Sequence, residues 1–292
     1  MPSLSEAIVA FYTQQFPAIV ISFPIMLLPF VLLERWRPYK TPPTWREYLM
    51  NFSINVSSFA IVGPIGIVAA YAADAVRTHA PWPTLAFTFS DIGIGVPVID
   101  SVLRILAMIF IPLFMHDLWF YWSHRLEHKV KLLWSFHQLH HSDTNMNAST
   151  YSRDHFLQNA WRSFFSMFTV GLIFDLDLKD AAQAALLSNL FLALWSQFYH
   201  SATRFQLPWL DRVLVTPQVH RIHHSIERQH QDKNFADALP IFDIVFGTYV
   251  KPTRDEFPAT GLSDGTPPPA KWWQAQLIPV AALLGKKAKA KS

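Results

Sequence analysis

The chain contains no cysteine among its 292 residues. Disulfides, thiolate metal ligands and a cysteine nucleophile are thereby excluded together, and any bound metal must be held by nitrogen or oxygen. Charge is scarce as well. Asp, Glu, Lys and Arg make up 15% of the residues, against about 25% in an ordinary soluble domain. The formal net charge is only +3, and the basic residues form no stripe of the kind that grips nucleic acid. The basic ending KKAKAKS reads as a solvated tail, with a contact to anionic lipid heads as the alternative. Neither G-x-S-x-G nor H-E-x-x-H occurs, so no nucleophile elbow or zinc-protease helix is present. No basic residue precedes Arg35, and Glu6 stands near the start, so the N-terminus does not read as a secretory signal.

What fills the space left by charge is apolar: 51% of residues are hydrophobic, with 24 Phe and 11 Trp. Ala7–Leu33 carries no charge and is long enough to cross the roughly 30 Å bilayer core. Pro17, Pro24 and Pro29 predict a kink within it. The segment 34–47 is polar and Pro-rich and reads as a loop; Tyr48–Ala73 gives a second span, and residues 102–122 a third. Residues 156–174 and 181–199 are two further apolar stretches, joined by DLDLKD, which predicts a helical hairpin. Lys and Arg concentrate after spans one, three and five (Arg35, Arg37, Lys40 and Arg46; Arg125, Lys129, Lys131 and Arg153; Arg204, Arg212 and Arg221). By the positive-inside rule these connections face the cytoplasm, which puts the N-terminus outside and the C-terminus inside. The expected fold is an all-α integral membrane protein with four to five transmembrane helices and a cytoplasmic helical cap carrying a histidine-rich di-metal site. Residues 1–100 are read as N-terminal membrane helices and connections and 101–251 as the catalytic domain. Residues 252–292 are read as a linker, an amphipathic segment around Trp272–Leu284, and the tail.

Eight of the 13 histidines fall in three clusters, each beside an apolar stretch. They are His124 and His128 in HRLEH, His137, His140 and His141 in HQLHH, and His220, His223 and His224 in HRIHH. Spacings of three and four put side chains on one face of a helix. Buried imidazoles without partners are costly, so three such clusters point to cation binding, and eight rings are too many for one tetrahedral ion. His200, ending the fifth apolar stretch, is a ninth candidate ligand. Asp117, Tyr121, His124 and His128 share one helical stripe, so Asp117 is expected to receive the second N–H of a ligating ring. Asn145 and Asn234 are candidate amide partners, and His155 is a candidate ligand or orienting residue. His116 reads as structural, His230 as a weak candidate, and His79 as irrelevant. Trp119, Phe120 and Trp122 are expected at a substrate entrance or in lipid contact.

These residues resemble the fatty acid hydroxylase / sterol desaturase superfamily of membrane diiron oxidases. The resemblance covers about Asp117 to Tyr249. It rests on D-x-x-x-Y-W-x-H-R-x-x-H (117–128), F-H-x-x-H-H-S (136–142), Asn145, R-x-H (153–155), His200, T-P-x-x-H-R-I-H-H-S (216–225), D-x-N-F (232–235) and F-G-T-Y (246–249). It implies two non-haem irons on His124, His128, His137, His140, His141, His220, His223 and His224, with His200 completing the set. The implied reaction is O2-dependent hydroxylation or desaturation of a membrane lipid. Asp117, Asn145 and His155 are read as catalytic residues beside this ligand set. Where the family often has Gly after N-F, this chain has Ala236 followed by Asp237, which is expected to shift the backbone locally without loss of ligands. No fused cytochrome b5 segment is read in the chain. Electrons are then expected from a separate donor protein or a reductant such as a pterin, in a bacterial inner membrane or an ER membrane. A membrane metal transporter or chaperone, and a zinc-dependent membrane hydrolase, are the competing readings. The first usually places its ligands near the bilayer midplane, and the second needs about three ligands and a carboxylate base.

Overall fold

The computed structural model describes residues 3–39, 41–79, 85–176, 178–205 and 208–279, with backbone alone at 85–87, 167 and 169–182. Helices α1 (Leu4–Ala10) and α2 (Phe16–Trp36) form one rod joined by a π-helical turn, Phe11–Gln15. Pro17 explains the wide turn: its ring crowds the carbonyl one turn back and supplies no N–H, so the ladder loosens there. The helix takes the first three residues of the polar stretch read as a loop, ending at Trp36. Helix α3 spans Trp45–His79 and α4 spans Pro97–Lys129.

These three rods are the helices, among the described residues, that are long and apolar enough to cross a membrane. Only 17%, 22% and 11% of their apolar windows are buried. Their apolar surface therefore faces outward, as Ile21, Ile25, Leu28 and Leu32 of α2 do, and it suits hydrocarbon rather than water. The other two apolar stretches become α6 (Phe156–Ile173) and α7 (Leu178–His200). At 1.5 Å per residue α6 is about 27 Å long, just short of the bilayer core. Among the described residues, three helices thus meet the length and apolarity of a span.

The 175–180 connection is more than a tight hairpin. Its strand β2 (Phe174–Leu176) pairs in parallel with β1 (Leu85–Phe87), a small departure from an all-α chain. This pairing joins the two connections that precede α4 and α7, at the bundle end opposite the histidines. At the other end sit short helices: α5 (Lys131–His141), α8 (Pro217–His223), α9 (Ile241–Val245) and α10 (Trp272–Ala275). Glu34 ties this end together. Fully buried, it accepts the N–H groups of Ala148 and Ala202, both at 2.7 Å, and the hydroxyl of Tyr48. Ala275 packs against Ile54 and Leu139. The amphipathic segment expected up to Leu284, and the basic tail, lie beyond residue 279, outside the described residues.

Candidate metal centre

Helix α4 is about 50 Å long at 1.5 Å per residue, so its last turns project past a bilayer core and carry His124 and His128 clear of it. Val130 breaks the helix with extended backbone, and α5 starts at once, turning His137, His140 and His141 back toward α4. Helix α7 delivers His200 with its last residue, and α8, opened by Pro217, delivers His220, His223 and, at its C-cap, His224.

All nine candidate ligands meet, in two groups. His124, His128, His137, His141 and His223 form one; His140, His200, His220 and His224 form the other; the ligand atoms of each group lie within 4.8 Å of one another. Each H-x-x-H-H run serves both. Its i and i+4 rings join one group and its i+3 ring the other, with the roles exchanged between α5 and α8. The groups touch through His141 and His224, whose rings stack at 4.5 Å. Asp117, Asn145 and His155 are in neither group.

The nitrogens fit metal ions. His124 Nε2 and His141 Nε2 lie 2.9 and 3.0 Å from His137 Nε2. His140 Nε2 and His220 Nε2 lie 3.3 and 2.9 Å from His200 Nε2, and His224 Nε2 lies 3.0 Å from His220 Nε2. Imidazole nitrogens sharing one ion at about 2.1 Å stand about 3.0–3.4 Å apart. The outward nitrogens settle the tautomers. Nδ1–H of His124 donates to the carbonyl of Phe235 at 2.7 Å, that of His200 to Ser196 at 2.8 Å, and that of His223 to Lys233 at 2.8 Å. Their Nε2 atoms therefore carry bare lone pairs. Nε2 of His128 and of His223 is buried with no hydrogen-bond partner. Burial, reinforced by neighbouring rings, holds His137, His140, His141, His220 and His224 well below the usual histidine range. Burial holds His223 down to about 4. Neutral, partnerless donors of this kind are what a cation requires.

Carboxylates complete the surround, though not the one expected. Asp117 does not reach a histidine ring. It accepts the backbone N–H groups of Asp237 at 2.9 Å, Ala238 at 3.1 Å and Leu239, because the 232–243 loop folds over α4 and needs acceptors for its buried amides. The carboxylate facing a ring is Glu127, fully buried, 3.3 Å from His137 Nδ1. It is held by both arms of Arg162 and, at 3.1 Å, by Trp161 Nε1–H. Asp154 stands 3.4 Å from His140 Nδ1; burial pushes its carboxyl up to about 6.

The remaining candidates serve the scaffold. Asn145 donates to Glu47 at 3.0 Å, tying its loop to α3. His155 stacks on Phe136 and meets the carbonyl of Gln276 at 3.1 Å, which anchors the C-terminal segment. Asn234, at φ 54°, donates to the carbonyls of Val219 and Val250, both at 2.9 Å, and so ties α8 to the following loop. His230 binds Glu256 at 2.9 Å, and His79 binds the carbonyl of Ala75 in its own helix. Asp243 accepts the N–H groups of Phe235 and Ala236, both at 2.8 Å, and so holds in place the carbonyl that orients His124. Gly247, at φ 72°, makes the turn that returns Thr248 to Asp243.

A cavity of about 350 Å³ lies between α3, α4, α6 and α7 and reaches His124, His137, His140, His200 and His220. Phe59, Val62, Phe120 and Leu192 supply apolar wall. His116, read as structural, also lines it and pairs with Asp237 at 3.0 Å. Tyr199 donates to the same carboxylate. Burial raises the Asp237 carboxyl, but the bonds from His116 and Tyr199 outweigh it and hold the group below the usual carboxylate range. The departure at 236–237 therefore adds an anion to the cavity wall while all nine histidines keep their place. Ala236 fits because its backbone stays at negative φ. Of the three expected aromatics, Phe120 lines the cavity, Trp119 packs on Trp161, and Trp122 packs on Phe246.

Histidine groups of this composition beside membrane-length helices define a class of membrane-embedded, histidine-rich metal proteins. Comparison with known proteins narrows the class: residues 109–248 match the fatty acid hydroxylase family. Human alkylglycerol monooxygenase is 34% identical over 137 residues, covering 46% of this chain and 28% of that protein. The Caenorhabditis elegans protein of the same name is 27% identical over 150 residues, covering 51% of this chain and 28% of its own length. Ornithine lipid hydroxylase OlsE of Rhizobium tropici is 28% identical over 170 residues, covering 57% of this chain and 48% of that protein. The match thus spans less than half of each of these relatives. No solved structure matches the chain.

Proposed function

We propose that this protein is an integral-membrane, non-haem diiron oxygenase that hydroxylates a lipid C–H bond with O2. The observation that carries the reading is the meeting of two histidine groups with a cavity walled by membrane-length helices. His124, His128, His137, His141 and His223 would hold one iron, and His140, His200, His220 and His224 the other. Held there, two irons would supply the reductive activation of O2 needed for attack on a C–H bond.

The chain's own part is positioning. Backbone carbonyls and Glu127 aim the rings, apolar side chains keep the cavity dry, and the His116–Asp237–Tyr199 group offers a polar contact near the histidines. Helices α6 and α7 would complete four or five spans, with the histidines on the cytoplasmic side of a bacterial inner membrane or ER membrane, where Lys and Arg concentrate. The names of the relatives, an alkylglycerol monooxygenase and an ornithine lipid hydroxylase, favour a polar lipid as substrate. Electrons come from a separate donor protein or a small reductant. The two groups gather five and four histidines, more than the roughly three protein ligands of a zinc hydrolase.

Lipid analysis of cells with and without the protein, grown under 18O2, tests the reading. One 18O per product lipid, dependent on the histidines, is expected. Oxygen drawn from water, or an unchanged lipid profile, would contradict it.

A further inference from the structure

A second cavity, of about 260 Å³, approaches the five-histidine group from the loop side. It touches His128, His141 and His223, and its mouth includes Gln231, Asp232 and Ser263. Gln231 and Ser263 are exposed, and the Asp232 side chain is 41% exposed. Asp232 sits at φ 60°. One of its carboxylate oxygens lies 3.7 Å from His128 Nδ1 and the other is bound by Lys129. Behind it, the buried Nε2 atoms of His128 and His223 have no hydrogen-bond partner. The mouth thus runs from water, past one half-exposed anion, to bare imidazole nitrogens. The first cavity opens between apolar helices, and its Asp237 carboxylate is already engaged by His116 and Tyr199, so it offers a hydrated dication less compensation.

From this geometry we infer that the second cavity is the port through which the metal ion enters and leaves, with Asp232 as a transient ligand at its rim. The inference rests on the two groups being metal sites. An arriving dication exchanges water for the Asp232 carboxylate while Lys129 gives way. It then exchanges that carboxylate for imidazole, so it is never without an anionic or nitrogen partner. A relay group speeds passage in both directions without altering occupancy, so removing it slows release as well as uptake.

The test is the rate at which purified, metal-loaded protein in detergent loses metal to an excess of chelator, after metal per chain has been counted. Asp232→Asn is expected to release metal about tenfold more slowly, the order for removing one charge about 4 Å from a dication in a water-filled mouth. Ser263→Trp, which narrows the mouth, is expected to slow release too, and Asp232→Glu to restore it. Leu192→Trp, in the first cavity, leaves the rate unchanged. Faster release from Asp232→Asn would show that Asp232 only braces His128 and would overturn the port. Unchanged rates in both Asp232→Asn and Ser263→Trp, or slow release from Leu192→Trp, would also overturn it, with the metal reading intact. Wild-type protein that carries no metal would overturn both.

Discussion

Replacing Glu127 by Gln probes the support of the centre without touching a ligand. Glu127 is fully buried between Arg162, Trp161 and His137. The amide preserves the shape and still accepts from Arg162 and Trp161, but it withdraws the negative charge that faces His137 Nδ1. Loss of such a partner typically weakens metal binding about 10–100-fold, which is about 1.4–2.7 kcal/mol. Glu127→Ala goes further and leaves the Arg162 guanidinium buried and unpaired, at a cost of about 3–5 kcal/mol in folding stability. Adding Arg162→Met to Glu127→Ala should return part of that stability but none of the metal affinity. The assay is metal content after equilibration with graded chelator, beside thermal unfolding in detergent. The reasoning is refuted if Glu127→Gln binds metal as tightly as wild type, or if Glu127→Ala/Arg162→Met regains full affinity.

Other outcomes follow from the same geometry. His155→Ala should keep its metal while proteolysis near Gln276 quickens, since that ring contacts the C-terminal segment and no ligand; loss of metal would return His155 to the centre. Asp117→Ala leaves buried N–H groups in 237–239 without acceptors, at about 1–3 kcal/mol each, and a lower unfolding temperature with metal retained is expected. For pH, the folded histidines His137, His140, His141, His220, His223 and His224 titrate below the unfolded value of 6.5. The unfolded chain binds protons first as pH falls, so stability is full above about 6.5 and is lost progressively toward about 4. Metal-stripped protein should melt at a clearly lower temperature at pH 5.5 than at pH 8, and equal melting temperatures would contradict this.

The meeting of the histidines was legible because a helix converts spacings of three and four into a shared face, and nine imidazoles beside apolar runs have few other physical explanations. Their division into five and four was not legible. Which ring of H-x-x-H-H turns to which centre depends on how α5 and α8 pack, and no local periodicity carries that. Asp117 was legible as a buried anion, but its partners are backbone amides 120 residues away. Glu127 was overlooked although a signal existed: Arg162 is the one charge in the apolar run 156–174, and a lone buried guanidinium demands an anion. Glu34 was hidden in the same way inside a segment that reads as polar loop. Three membrane-length helices stood out from composition, whereas α6 lies near the length threshold, where hydropathy alone does not decide.

The central claim is that these nine histidines hold two irons per chain. Metal analysis of purified wild-type protein beside His200→Ala and His128→Ala/His141→Ala tests it most directly. The account predicts about two irons in the wild type and about one in each variant, with the protein still in the membrane. One zinc and no iron in the wild type, or two metals retained in both variants, would contradict it.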